Sequence, residues 1–199
     1  MIVPLGDWVV RSACTQVMDW VRLGHALIPV AVNLSVGQFD ASLVGSIGDA
    51  LRASGLEPRH LEVEITENVL MRDVDEHIEI LRQLSDLGVR TAIDDFGTGY
   101  SSLSYLRYFK LDTLKIDQSF VRNMVANAND ASIIRAIIAL AHSMKMTVVA
   151  EGVESVEQKD ALGEMQCDDW QGYLNCAPLP AGEFEQRFLL GWDRDERCL

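Results

Sequence analysis

The stretch TAIDDFGTGYSSLSYL, Thr91 to Leu106, decides the fold of this chain, because in it an apolar run ends in two adjacent carboxylates and a glycine-containing turn. Asp94 and Asp95 therefore follow directly on a segment with the composition of a buried strand. Acidic side chains at the end of such a strand are typical of the carboxyl edge of a parallel sheet, where the sites of α/β proteins lie.

Composition favours one domain over residues 1–199, since 199 residues with 48% hydrophobic content can build a substantial single core. The 17 basic and 30 acidic side chains give a net charge of −13, and the sequence contains no basic run, so we expect no DNA or RNA partner. No apolar segment approaches the roughly 20 residues that span a bilayer. The N-terminus, MIVPLGDWVVRSAC, lacks a basic region followed by an apolar one. These features predict a cytoplasmic chain without a membrane segment.

The chain alternates between short β-branched runs and segments of helical period. The predicted strands are 28–34, 61–66, 90–96, 113–116, 147–151 and 168–173. The predicted helices are 5–23, 43–54, 74–87, a short turn at 102–108, 130–145, 155–165 and 181–190. Gly55 and Gly88 follow two of these helices and are expected to end them. Repeated βα units predict either an open doubly wound sheet or a closed (β/α)₈ barrel.

Every predicted strand ends in a charged or hydrogen-bonding side chain. These residues are Asn33, Glu64, Glu67, Asp94, Asp95, Lys115, Asp117, Glu151, Glu154 and Gln171. A single strand-end Asp or Asn usually caps a helix or closes a turn. As a set, however, at least four carboxylates would meet at one edge and repel one another unless cations lay among them. Oxygen ligands without Cys or His favour Mg²⁺ or Mn²⁺, with Ca²⁺ also open.

Adjacent Asp94 and Asp95 could reach two ions at once, and a two-metal site is typical of phosphoryl-group hydrolysis. In that chemistry Lys115 would position the attacking water or the phosphate. The four cysteines, in contrast, have neither CxxC spacing nor the density of a secreted disulfide scaffold, which predicts reduced thiols. They are Cys14, Cys167, Cys176 and Cys198.

The motifs VNLS, EITE, DDFGTGYSSLSYL, LKIDQSF, VVAEGVE and QGYL occur in the order and near the spacing of a known family. Together, from about Ile2 to Phe188, they resemble the EAL domain, the cyclic di-GMP phosphodiesterase module of bacterial signalling. The resemblance implies a TIM-like (β/α) barrel that hydrolyses cyclic di-GMP to linear pGpG with two Mg²⁺ or Mn²⁺ ions. Ca²⁺ is then expected to bind and to inhibit, because its looser coordination positions water and phosphate less strictly.

The resemblance also assigns roles to individual residues. It implies metal ligation by Asn33, Glu64, Asp94, Asp95 and Glu151. Lys115, Asp95 and Glu151 would be catalytic, Gln171, Glu154 and Pro178 would bind the substrate, and Glu67 would support the loop after Asp95. That loop, residues 96–105, would mediate a homodimer, and a longer parent protein would carry an upstream sensor or GGDEF domain.

The sequence departs from the family in two places. Two N-terminal strands are missing, including the one that carries the Glu-Ala-Leu motif and one metal ligand. We therefore expect an N-terminally truncated barrel with about six of eight strands and unpaired edges at 28–34 and near 168–173. Ala177 also replaces a residue that is usually basic. Three functions stay open: a phosphodiesterase, an impaired module that binds cyclic di-GMP or a protein partner, and a βα protein whose acidic strand ends only cap helices.

Overall fold

A single sheet of parallel strands organises the molecule. The computed structural model describes residues 2–99 and 103–190. Within them the strands are β1 (Val30–Asn33), β2 (Leu61–Thr66), β3 (Arg90–Phe96), β4 (Thr113–Ile116), β5 (Thr147–Ala150) and β6 (Asp169–Trp170). Each strand pairs in parallel with its neighbours in the chain, so the order across the sheet is the order in the sequence.

The sheet curls into a half-barrel. Residues at the two ends of the sheet, including Val30 on β1 and Asp169 on β6, line one common cavity of about 220 Å³ on its inner side. A doubly wound sheet would reverse its strand order partway, whereas this order never reverses. The structure therefore confirms a TIM-like (β/α) barrel, in which residues 2–99 and 103–190 contribute six strands and pair β1 and β6 on one side only.

Helices cover the outer side of the sheet. The longer ones are α1 (Ile2–Arg22), α2 (Leu43–Ser54), α4 (Val74–Leu87), α7 (Ala128–Ser143) and α8 (Val156–Glu164). The shorter ones are α3 (Glu67–Leu70), α5 (Leu103–Leu106), α6 (Gln118–Asn123) and α9 (Ala181–Phe184), which continues as a π-helical turn over Glu185–Leu189. Two 3₁₀ turns, Val36–Gln38 and Pro58–His60, complete the set. As predicted, α2 and α4 end at Gly55 and Gly88, both in the left-handed conformation.

The two faces of the sheet differ in polarity because side chains alternate along each strand. The outer face contributes fully buried apolar side chains, such as Ile65, Ile93 and Leu114, to a core shared with the helices. The concave face carries mostly polar side chains, such as Glu64, Thr113 and Lys115. The apolar core therefore lies between sheet and helices, which leaves the inside of the half-barrel to polar groups.

Several predicted boundaries were wrong. Strand β6 has two residues in place of the six predicted at 168–173, because the chain then turns at Gly172, whose close approach to the backbone of Val153 leaves no room for a Cβ atom. Helix α1 begins at Ile2 and includes Pro4, which a first helical turn tolerates. Helices α3 and α6 were not predicted, because four and six residues are too short to show a period.

Two predictions fall partly or wholly outside the described residues, namely the turn at 102–108, whose Ser102 is not described, and Cys198. In the described part of the chain, none of the helices combines the length and the apolar character that crossing a membrane requires.

Candidate functional site

The carboxyl ends of the strands bring the predicted site residues to one rim of the half-barrel. Glu64 lies on β2, opposite Asn33 at the end of β1, and Asp94 lies opposite Thr66 one strand further on. Lys115 is on β4. Glu151 and Gln171 are the first residues after β5 and β6. Because β2 to β5 are adjacent and parallel, side chains that are far apart in sequence meet there.

Lys115 is the centre of this rim, because its ammonium group contacts three carboxylates. Its Nζ lies 2.7 Å from Glu64 Oε2, 3.3 Å from Asp94 Oδ1 and 2.6 Å from Glu151 Oε1. The lysine side chain is 5% exposed and the three carboxylate side chains are 8, 11 and 16% exposed. These four residues, here called the Lys115 cluster, form a buried ion network in which negative groups outnumber positive ones.

Each carboxylate of the Lys115 cluster directs one oxygen at the ammonium group. Glu151 Oε1 also accepts a hydrogen bond from Gln171 Nε2 at 2.7 Å, and Asp94 Oδ1 also accepts one from the backbone N–H of Asp95 at 3.0 Å. Among the described residues, the second oxygens of Glu64, Asp94 and Glu151 have no hydrogen-bond donor. Three carboxylate oxygens are therefore fixed in position yet remain available to a ligand.

The ionisation of the Lys115 cluster follows from its burial and its unequal charges. Burial raises the pKa of Glu64 and of Glu151, and repulsion from Asp94 adds to the effect, while Lys115 only partly offsets it. For Lys115, burial alone would lower the pKa, but hydrogen bonds to Glu151 and Glu64 outweigh burial and raise it. The ammonium group is thus held charged, whereas burial, aided by the neighbouring carboxylates, destabilises the ionised forms of Glu64 and Glu151.

Asp95 adds a fourth carboxylate beside this cluster. Oxygens of Asp94, Asp95 and Glu151 all lie within 4.8 Å of one another. Asp95 has a left-handed backbone with φ of 54°, which an Asp tolerates better than most residues. Burial, and then the neighbouring Asp94 and Asp117 carboxylates, raise the pKa of Asp95. An all-oxygen donor set of this kind fits a hard divalent cation such as Mg²⁺, Mn²⁺ or Ca²⁺.

Glu67 connects this rim to the loop that follows β3. Its side chain is 1% exposed, and its Oε2 accepts a hydrogen bond from the N–H of Gly97 at 2.9 Å. A Cβ atom on Gly99 would lie 2.8 Å from Glu67 Oε1, so a side chain at position 99 would collide with this carboxylate. Residues 100–102 of the predicted 96–105 loop lie outside the described residues.

A pocket of about 540 Å³ opens beside Glu151. Gln171, Glu154 and Pro178, to which the resemblance assigns substrate binding, line it. Tyr173 and Phe184 also line it, and the sequence analysis missed both. Tyr173 could have been found from its place inside the QGYL motif, whereas Phe184 has no signal because it reaches the pocket only through the fold of the C-terminal helix.

The structure does not bring all predicted ligands equally close. Asp94, Asp95 and Glu151 form the compact group, and Glu64 joins them through Lys115. Asn33 lies on the neighbouring strand, at the level of Glu64, and its side chain is exposed and has no hydrogen-bond partner among the described residues.

The opposite end of the half-barrel carries a second polar group, here called the Glu62 cluster. Glu62 Oε2 accepts a hydrogen bond from Thr113 Oγ1 at 2.8 Å and lies 3.4 Å from Arg90 Nε. Arg90 also donates to Thr113 Oγ1 at 3.4 Å. Thr113 lies two residues before Lys115 on β4, and Glu62 lies two residues before Glu64 on β2. The two clusters therefore occupy successive layers of the same concave face.

The half-barrel, its acidic rim and the adjoining pocket define a TIM-like α/β protein with its site at the carboxyl ends of the strands. Comparisons with known proteins identify the family. The EAL domain model matches residues 1–178, and the chain belongs to this family. It is 46% identical over 182 residues to the bifunctional diguanylate cyclase/cyclic di-GMP phosphodiesterase MucR of Pseudomonas aeruginosa, covering 91% of this chain and 27% of MucR. The chain spans about a quarter of the length of the curated relatives it matches.

Solved structures agree with this assignment. The MucR phosphodiesterase in complex with c-di-GMP matches with a TM-score of 0.88 and 46% identity, over 92% of this chain and 74% of that one. The calcium/cy-diGMP complex of Klebsiella pneumoniae BlrP1 matches with a TM-score of 0.76 and 31% identity, over 85% of this chain and 43% of that one.

Proposed function

We propose that the chain is a metal-dependent phosphodiesterase that hydrolyses cyclic di-GMP to linear pGpG. The observation that carries this proposal is the group of Asp94, Asp95 and Glu151 oxygens beside the Lys115 ammonium, together with the pocket of about 540 Å³ that Glu151 also lines. The sequence identity shared with MucR, a bifunctional diguanylate cyclase/cyclic di-GMP phosphodiesterase, supports cyclic di-GMP as the substrate.

Two Mg²⁺ or Mn²⁺ ions fit the oxygen donors of this rim. Asn33, Glu64, Asp94, Asp95 and Glu151 would hold them. Such ions, when bound, neutralise charge on phosphate oxygens and acidify water. We expect Ca²⁺ to bind and inhibit, because its larger and looser coordination shell positions the reactants less strictly. The BlrP1 complex, which contains both calcium and cyclic di-GMP, supports this expectation.

The residues of this chain supply orientation and charge. Lys115, held by the carboxylates of Glu64, Asp94 and Glu151, would donate a hydrogen bond to the attacking water and so fix its position. Glu154, Gln171 and Pro178 would hold the dinucleotide, and Glu67 would keep the loop after Asp95 in shape. Hydrolysis breaks one phosphorus–oxygen ester bond: the hydroxyl of the water ends on phosphorus and its proton on the departing ribose oxygen.

The test is incubation of the purified chain with cyclic di-GMP and Mn²⁺, with pGpG followed by chromatography. We expect turnover that EDTA abolishes, that Mg²⁺ or Mn²⁺ restores and that Ca²⁺ suppresses. Tight binding without turnover under every metal condition would contradict the proposal.

One observation favours a second candidate, a module that binds cyclic di-GMP without cleaving it. Ala177 lines the pocket, and an alanine cannot neutralise a substrate phosphate as a basic side chain would. A binding titration in Ca²⁺ combined with the hydrolysis assay in Mn²⁺ separates the two candidates: both predict binding in Ca²⁺, and only the second predicts an absence of hydrolysis in Mn²⁺.

Assembly is a further part of the proposal. We expect a homodimer through the 96–105 loop, which size-exclusion chromatography with light scattering would detect. MucR combines a cyclase with its phosphodiesterase, and an upstream GGDEF or sensor domain in a longer parent of this chain would be consistent with that arrangement.

A further inference from the structure

We propose that Lys115 is the internal counter-ion of the metal-free protein and that it opposes the binding of divalent ions. This inference rests on the proposed function only in taking the rim as a metal site. It concerns what the lysine does before any substrate arrives, and it predicts the sign of an effect on metal affinity.

The contacts of the Lys115 cluster are the first step. One ammonium group lies 2.6 to 3.3 Å from oxygens of three carboxylates, one on β2, one on β3 and one directly after β5. Among the described residues, Lys115 is the only lysine or arginine within ion-pair distance of Glu64, Asp94 or Glu151. Within the described part of the metal-free chain, its ammonium group therefore provides all of the positive charge that these carboxylates contact directly.

Burial strengthens the electrostatic effect of the Lys115 ammonium group on the carboxylates. With side-chain exposures of 5 to 16%, the Lys115 cluster is shielded from the water and salt that weaken surface charges. Removing the ammonium group would leave three close carboxylates facing one another in a poorly hydrated site. The metal-free protein would then be destabilised, since its carboxylates would repel one another or take up protons.

When metal is bound, the charge balance of the rim reverses and positive charge is in excess. Glu64, Asp94, Asp95 and Glu151 carry four negative charges when ionised, and two divalent ions neutralise these four. The ammonium group is then in excess and repels the incoming cations. An uncharged side chain at position 115 thus harms the metal-free protein more than the metal-bound protein, and by linkage it must tighten metal binding.

An alternative interpretation of the same contacts predicts the opposite effect of Lys115 on metal affinity. If Lys115 acted mainly as a clamp that points the second oxygens of the carboxylates towards the metal, its loss would disorder the ligands and weaken metal binding. The balance of charge favours the counter-ion interpretation, because two of the three carboxylates, Asp94 and Glu151, are also fixed by other donors. Gln171 bonds Glu151, and the backbone of residue 95 bonds Asp94.

The experiment compares Lys115→Met with wild type by calorimetric titration of Mn²⁺ in the absence of nucleotide, and by thermal unfolding in EDTA and in saturating Mn²⁺. We expect the Mn²⁺ dissociation constant of the variant to fall at least tenfold. We also expect its Tm to drop in EDTA and to recover largely in Mn²⁺. Lys110→Met, which removes the charge of an exposed lysine, is the matched control and should leave both quantities unchanged.

A dissociation constant that is unchanged or larger in Lys115→Met would overturn the proposal, as would an absence of Mn²⁺ binding in both proteins. If the single variant does not fold in EDTA, the double variant Lys115→Met/Glu64→Gln tests the proposal instead. We expect the double variant to be more stable in EDTA than the single one, because it removes an unpaired charge, and lower stability would contradict the idea. No step uses cyclic di-GMP, so a wild-type chain without hydrolytic activity would refute the proposed function and leave this result standing.

Discussion

The two ends of the concave face show how the same barrel interior can be built for stability or for chemistry. At the amino end, the Glu62 cluster pairs one carboxylate with one guanidinium and one hydroxyl, so that charge is balanced. At the carboxyl end, two residues further along the same strands, the Lys115 cluster gathers three carboxylates around one ammonium group. Strand geometry is shared, and only the ratio of charges differs.

That ratio separates a structural role from a functional one. A network with balanced charge needs no further ion, whereas a cluster with surplus negative charge is completed by a cation. Charge imbalance of this kind destabilises the fold, and a protein tolerates it where function requires it. The comparison predicts that substitutions at the carboxyl end impair activity more than stability, and that substitutions at the amino end do the reverse.

The largest expected effect is that of Asp95→Asn on hydrolysis. The change removes a ligand charge at nearly constant volume, and Asn accepts the left-handed backbone of this position. We expect at least a hundredfold loss of Mn²⁺-dependent turnover, on the order of what loss of metal-site residues causes. The measurement is pGpG formation at saturating cyclic di-GMP. Glu62→Gln, the control at the amino end, should retain activity within about twofold, and equal losses in both variants would break the comparison.

A smaller loss of activity is expected for Glu67→Ala. Its carboxylate is buried and accepts the N–H of Gly97, so the variant loosens the loop that follows Asp95 without touching the substrate. We expect turnover to fall roughly ten- to a hundredfold, as for residues that position metal ligands. The Mn²⁺ concentration needed for half-maximal activity should rise as well. An unchanged metal requirement would show that Glu67 supports only the fold.

The third prediction concerns stability in the absence of metal. Asp94→Asn removes one of the three carboxylates around Lys115, and it removes the one with the longest contact. We expect the free energy of unfolding in EDTA to rise by about 1 kcal/mol, since repulsion is relieved. Thr113→Val at the amino end should instead lower the free energy of unfolding by about 1 kcal/mol, because it deletes a hydrogen bond to Glu62. Chemical denaturation of the two variants in EDTA measures both, and effects of the same sign would contradict the comparison.

The smallest effect is a difference between two thiols. Burial raises the pKa of Cys167, which precedes β6, to about 11, whereas Cys176 lines the pocket at the carboxyl end. At pH 8 only about one Cys167 thiol in a thousand is then ionised. We expect iodoacetamide at pH 8 to modify Cys176 well before Cys167, as peptide mass spectrometry would show. Cyclic di-GMP should slow the reaction of Cys176, and insensitivity to the nucleotide would argue against the pocket as the substrate site.

Much of this arrangement was predictable from the sequence, for reasons that particular residues make clear. β-Branched runs that end in polar residues predicted the strands, and parallel pairing of those strands brought Glu64, Asp94 and Glu151 to one rim. Sequence pattern fixes which edge a side chain reaches, because it depends only on strand direction and alternation.

Other features depend on how tightly the sheet curls, which no local pattern encodes. The curl of the sheet sets the distances from Lys115 Nζ to the carboxylate oxygens. It also allows Gln171 to bond the same Glu151 oxygen, and it brings Phe184 to the pocket. The sequence pattern does not indicate the Glu62 cluster, because Glu62 and Arg90 stand near the beginnings of their strands, away from the carboxyl edge where the sites of α/β proteins lie. The length of β6 was wrong because the turn at Gly172 results from a tertiary contact.

The strand order has a consequence for how the chain acquires its structure during synthesis. Every strand pairs with the strand that precedes it in the sequence, so each new βα unit can dock on one that has already emerged from the ribosome. Glu64, Asp94 and Lys115 are all present before Glu151 and Gln171 are translated. We therefore expect the lysine to be in place before the last carboxylate of the cluster arrives, so that the three carboxylates never face one another without their counter-ion.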